Sequence, residues 1–97
     1  MKFDKAYRRY PGHTLIKYIG DKTFTQKCIR YTFEEMHWED LFVSKGSEGI
    51  VTGFIFDSND RTNVIGLEVE FLTNDWNLVA FEPIELKFGE DLFVRTF

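Results

Sequence analysis

The chain has 97 residues, 43% of them hydrophobic and 18% aromatic, and a formal net charge of −4. That length suits one domain, 1–97, with enough apolar residues to fill a core, which excludes a low-complexity or disordered chain. No apolar run reaches the roughly 18 residues of a membrane helix and the opening residues lack the hydrophobic centre of a secretory signal, so the chain reads as cytoplasmic with no membrane partner.

A single cysteine, Cys28, excludes an intrachain disulfide and a cysteine-based zinc site. Charge is spread unevenly. Residues 1–30 carry eight lysines and arginines against two aspartates, and residues 31–97 carry four against fourteen acids. The result is a basic amino-terminal third on an acidic body.

In chain order, FDKAYRRY alternates aromatic and cationic groups and is closed by Pro11 and Gly12, which predicts a short helix or an arm ending at a turn. Two readings of it stand side by side. Lys5, Arg8 and Arg9 beside Tyr7 and Tyr10 offer phosphate contacts and stacking rings, the chemistry of single-stranded nucleic-acid binding. Alternatively Arg8 and Arg9 face carboxylates of the acidic body while Tyr7 and Tyr10 cover the core.

Thr14–Ile19 and Thr23–Phe33 are β-rich runs joined by Gly20, Asp21 and Lys22, which predicts a first hairpin. Within the second run Cys28 shares a face with Arg30 and Thr32, and it reads as a structural cysteine. EEMHWEDL, residues 34–41, reads as a short helix, with Met36, Trp38, Leu41 and Phe42 forming an apolar patch and Glu34 and Glu35 suiting its first turn. His37 lies among Glu34, Glu35, Glu39 and Asp40. With His13 the only other imidazole, that spacing yields no metal-ligand set, and no metal or cofactor is expected.

The clearest feature is a long hairpin between Val43 and Leu72. Ile50–Phe56 and the run beginning at Val64 flank a polar turn, DSNDRTN. Ile65, Leu67, Val69 and Phe71 alternate with Gly66, Glu68 and Glu70, so one face of that strand is core and the other acidic. Gly46 and Gly49 suit a turn that needs positive φ or close approach, and Gly53 suits a bulge. After a polar turn around Trp76 come short strands Leu78–Phe81 and Ile84–Phe88, separated by Pro83, and a closing strand Leu92–Phe97.

The run V-x-x-G-x-x-G-I-V-x-G from Val43, the V-E-F strand and the return V-A-F-x-P-I-E-L resemble KOW-type and other SH3-like small barrels over residues 43–87. The resemblance implies a mainly β fold, a barrel of about five bent strands over 43–97, and says nothing of residues 1–42, which would have to be an added hairpin and a helix near 34–41. KOW-type domains that bind RNA or ribosomes present basic loops. Here the corresponding region carries Glu48, Asp57, Asp60, Glu68, Glu70 and Asp75, which points to a protein partner.

No nucleophile with an aligned base is legible, Glu68 and Glu70 read as a solvent face, and G-S-E-G puts an acid where a phosphate would sit. The expected function is therefore non-enzymatic. The chain reads as a binding module that docks a protein through an acidic and aromatic surface of Trp38, Glu39, Asp40, Glu68, Glu70 and Trp76, with either tryptophan as anchor, as an accessory or modulator of transcription or translation machinery. Two alternatives stay open. One is a phage-type inhibitor whose acidic face blocks a host nuclease or polymerase, and the other is nucleic-acid binding by the basic third.

Overall fold

The structure, a computed structural model, describes residues 1–96. One short helix, α1 (Phe3–Arg9), precedes eight strands: β1 (Leu15–Tyr18), β2 (Phe24–Tyr31), β3 (Met36–Val43), β4 (Glu48–Asp57), β5 (Asp60–Phe71), β6 (Leu78–Ala80), β7 (Ile84–Lys87) and β8 (Phe93–Arg95). The fold is mainly β, with the strands in two antiparallel sheets that do not close into a barrel. The larger has the order β7-β5-β4-β1-β8 and the smaller β3-β2-β6.

β4 and β5 form the expected long hairpin, and it is longer than the sequence suggested. The polar run DSNDRTN is mostly strand, so that only Ser58 and Asn59 turn between the opposed Asp57 and Asp60. Side chains make this possible: the Asp57 carboxylate accepts the Asn59 N–H at 2.9 Å, and Asp60 accepts both the N–H and the hydroxyl of Thr62. The start of the chain reinforces the tip, since the terminal ammonium donates to Asn63 Oδ1 at 2.7 Å and Lys2 bridges to Asn63. Asp4 in the first turn of α1 and Arg8 and Arg9 in its last complement the helix dipole.

Leu67, Val69 and Phe71 are buried as the period-two pattern requires, and Ile65 is half-buried. They meet Ile16 and Tyr18 of β1, Val51 of β4, Ile84 and Leu86 of β7, and Tyr10, with Phe24, Phe54, Phe88 and Phe93 packed around them. Gly53 sits at a register shift against β5, as its expected bulge requires. Gly46 has φ +97°, and a Cβ on Gly49 would lie 2.6 Å from Val69 Cγ1, so both glycines serve the turn into β4.

Three expectations are corrected. Residues 36–41 of the segment read as a helix belong to strand β3, because every residue of β3 finds a partner on β2, from Tyr31 opposite Met36 to Phe24 opposite Val43. Eight residues gain more from a full ladder than from two isolated helical turns. The first hairpin does not form either: β1 pairs with β4 and β8, and β2 pairs with β3 and β6. Gly20 to Thr23 therefore carries the chain from one sheet to the other. The third concerns the strands from 43 onward, which do not enclose a core by themselves, since β1 from the amino-terminal segment lies between β4 and β8. The closing strand forms as β8 on β1, and Phe97 lies outside the described residues.

Candidate functional site

The smaller sheet joins the larger one through Phe24 and Val43, which pack on its core, and through one buried polar side chain. Gln26 is buried, accepts the Phe71 N–H on Oε1 at 2.7 Å and donates from Nε2 to the Phe71 carbonyl at 3.1 Å, so that it acts as a rung between β2 and the end of β5. Beside it Cys28 is buried, and desolvation raises its thiol pKa, with Glu39 and Glu70 adding to the shift. Both suit a structural cysteine, since a thiol held protonated is a poor nucleophile. Farther out on the same face Arg30 donates to Glu39 and to Asp75, both at 2.6 Å. Those hydrogen bonds, with the one from the Asn77 N–H, hold the Asp75 carboxyl below its ordinary pKa.

Among the described residues nothing covers the opposite face of this sheet. Alternation along β2 and the register of its two neighbours put Ile29 between Trp38 and Val79, Tyr31 beside Met36, and Thr25 beside Phe42. Phe81, just past β6, completes the row, its ring 4.7 Å from that of Trp38 in an edge-to-face pair. Trp38 is 65% exposed, Phe42 70%, Met36 63% and Phe81 55%. Four side chains of roughly 200 Å² each, exposed to this degree, leave on the order of 500 Å² of apolar surface facing solvent. That is the size of the largest apolar patch a monomer ordinarily exposes, and such a patch often serves a function.

Charges rim this face unequally. Lys27 and Asp40 form one ion pair across it at 3.6 Å. Glu34 and Glu35 stand at the β2–β3 turn, where Glu35 lies 3.3 Å from His37, and Glu82 follows Phe81. Counted with Glu39 and Asp75, six carboxylates surround two cations, and both cations are already paired. Six of the fourteen acids foreseen for the acidic body thus lie at this sheet. Among the described residues no group of three His, Cys, Asp or Glu side chains is placed to hold a metal ion.

The six residues expected to form a partner surface are dispersed. Trp38 and Asp40 share the outward face, whereas Glu39 points to the other side and is tied to Arg30. Glu68 and Glu70 are half-buried on β5, and Trp76, 98% exposed, stands on the loop before β6. Tyr31, Phe42, Val79 and Phe81 were missed as site residues. Met36, Trp38 and Phe42 do recur at even spacing in the sequence, with Asp40 as the interruption, and that period was the available signal.

In the basic third, Lys5, Tyr7, Arg8 and Arg9 are exposed on α1, and among the described residues Arg8 and Arg9 form no ion pair. Arg8 reaches the Asp4 carbonyl and Arg9 lies over the Tyr10 ring. Tyr10 itself is buried against Phe88 and Phe93, which leaves Tyr7 as the one tyrosine of α1 and its cap with a free face. Among the described residues no helix is long and apolar enough to cross a membrane. Comparison with protein-family models, curated proteins and solved structures finds no match.

Proposed function

We propose that this chain is a non-enzymatic binding module that docks a protein partner through the outward face of β3-β2-β6. One observation carries the reading: a row of aromatic and aliphatic side chains stays in water on a sheet whose other face is satisfied, in a chain that has a core elsewhere. Burying such a face is favourable in proportion to its area, and large rings ringed by charge are what concentrate binding energy in few residues. Trp38 is the natural anchor, being central in the row and braced by Phe81. The acid rim selects a partner with a basic surface and speeds its approach. A partner in the transcription or translation machinery fits this chemistry, and so does a nuclease or polymerase whose cationic site a small acidic inhibitor would block.

A second reading is favoured by α1, where Lys5, Arg8 and Arg9 stand exposed beside Tyr7. Phosphate contacts by these three groups would weaken steeply with salt.

The test is capture from nuclease-treated lysate of the source cells by the wild type and by Trp38→Ala, Phe42→Ala and the double change Arg8→Ala with Arg9→Ala. The docking reading expects a partner held by the wild type and the arginine variant and lost by the two aromatic variants, each at a cost of about 2 kcal/mol or more with the fold intact. Capture indifferent to Trp38 and Phe42 would refute it. Loss confined to the arginine variant, with salt-sensitive binding of single-stranded DNA or RNA, would favour the second reading.

A further inference from the structure

We infer that the partner engages this site as an extended, cationic segment that adds as a strand along the free edge of β3. This rests on the docking reading above and names the form the partner takes.

β3 is the edge of the smaller sheet, and all eight of its residues pair with β2 without a register shift. The direction of its backbone groups follows from the ladder. Tyr31 N–H donates to Asn77 and Phe81 N–H to Lys27, so the odd residues of β2 serve the β6 side and its even residues serve β3. Gln26, Cys28 and Arg30 lie opposite Leu41, Glu39 and His37, which are thereby the hydrogen-bonded pairs. Met36, Trp38, Asp40 and Phe42 then turn their N–H and C=O groups outward. Among the described residues no backbone group pairs with them.

The other edges of the two sheets are blunted. β6 and β8 have three residues each, and β7 has four, begins one residue after Pro83 and ends at Lys87. β3 has eight, about 26 Å of edge, with no proline, lysine or bulge. An eight-residue edge strand where every other edge strand is shortened is the geometry of strand addition, in which backbone bonds supply affinity and alternate side chains supply selectivity.

The residues that offer those bonds also carry the outward apolar row, so one added strand uses both. Its side chains on that face would lie beside Met36, Trp38 and Phe42, where apolar groups fit, and beside Asp40, where a cation fits. On the other face a cation fits beside Glu39. A second copy of the chain is the poorer occupant, because pairing β3 with β3 sets Glu34, Glu35, Glu39 and Asp40 against the same four acids of the other copy.

The test uses the full chain and an array of decapeptides that alternate Val, Ile, Tyr or Phe with Lys, Arg, Ser or Glu. The retained peptides should alternate apolar residues with Lys or Arg, and binding should slow exchange of the Met36, Trp38, Asp40 and Phe42 amides. N-methylating one alternate set of a retained peptide's amides should weaken it at least tenfold while methylating the other set does not. Trp38→Ala should also weaken it at least tenfold. If Trp38→Ala weakens binding but both methylated peptides bind unchanged, the docking face stands and strand addition is overturned. Retention of acidic or non-alternating peptides overturns it, as does an array that retains nothing, whatever the capture experiment finds. A dimer of the protein alone with those four amides protected overturns it in favour of a second copy.

Discussion

The two sheets use the same kinds of residue for opposite ends. In the larger one a strand such as β5 points Leu67, Val69 and Phe71 into a core closed by β1, β4, β7 and Tyr10. In the smaller one the equivalent apolar row of Ile29, Met36, Trp38, Phe42 and Val79 has no opposing layer, and its charged inner face is held by Gln26, Arg30 and their partners. Hydrophobicity alone therefore does not mark a core. A second layer to pack against is what makes it one.

The contrast is broken most directly by the same substitution on each sheet. Val69→Asp buries a carboxylate where the native side chain is inaccessible, at a cost of several kcal/mol, on the order of the whole stability. Thermal melting should show no cooperative transition near that of the wild type. Val79→Asp, on the open face, should shift stability by no more than about 0.5 kcal/mol. Equal effects would dissolve the distinction between the sheets.

Gln26→Leu tests the joint between them. It removes both bonds to Phe71 and leaves that residue's buried N–H and C=O unpaired, so about 2–4 kcal/mol should be lost in urea unfolding. Amide exchange should quicken in β2 and β3 before it does in β4 and β5. Uniform acceleration across both sheets would mean that they unfold as one unit without regard to this joint.

Asp75 reports on the inner face of the smaller sheet. Its folded pKa is lowered, first by the hydrogen bond from Arg30, so ionisation favours the folded state. The contribution is full above the carboxylate's unfolded value and is lost as pH falls through the lowered folded value. Followed by its side-chain carbon shift, Asp75 should titrate below the usual range in the wild type and move back toward about 3.9 in Arg30→Gln. An unmoved titration would exclude Arg30 as the main cause.

The smallest effect is expected at the tryptophans. Trp38→Ala and Trp76→Ala should each leave stability within about 0.5–1 kcal/mol, and acrylamide should quench both indoles, with red-shifted emission. A blue, protected indole would place one of them in a core.

The long hairpin, the core face of β5, the turn at Gly46 and the bulge at Gly53 were legible in the sequence because each depends on local signals: period-two alternation and glycines where the backbone has no alternative. Residues 34–41 misled for a physical reason. Glu34 and Glu35 resemble a helix start and Asp40 interrupts the alternation, while the partner that settles the matter, β2, forms its ladder only after the chain turns back. For the candidate site, Trp38 and Asp40 could be named from the sequence. Their neighbours Tyr31, Val79 and Phe81 could not, because they come from other strands and meet only through register.

By itself, then, the sequence determined that this is a mainly β chain with one dominant hairpin and an acidic, aromatic-rich body, since composition and alternation act through neighbours along the chain. The tertiary structure alone decided that β1 and β2 part into different sheets, that a buried Gln26 joins them beside Phe24 and Val43, and that one apolar row is left uncovered. Those outcomes depend on which strands compete for each backbone edge and on whether a second layer reaches a given face. Both are properties of segments far apart in sequence, and no local pattern encodes them.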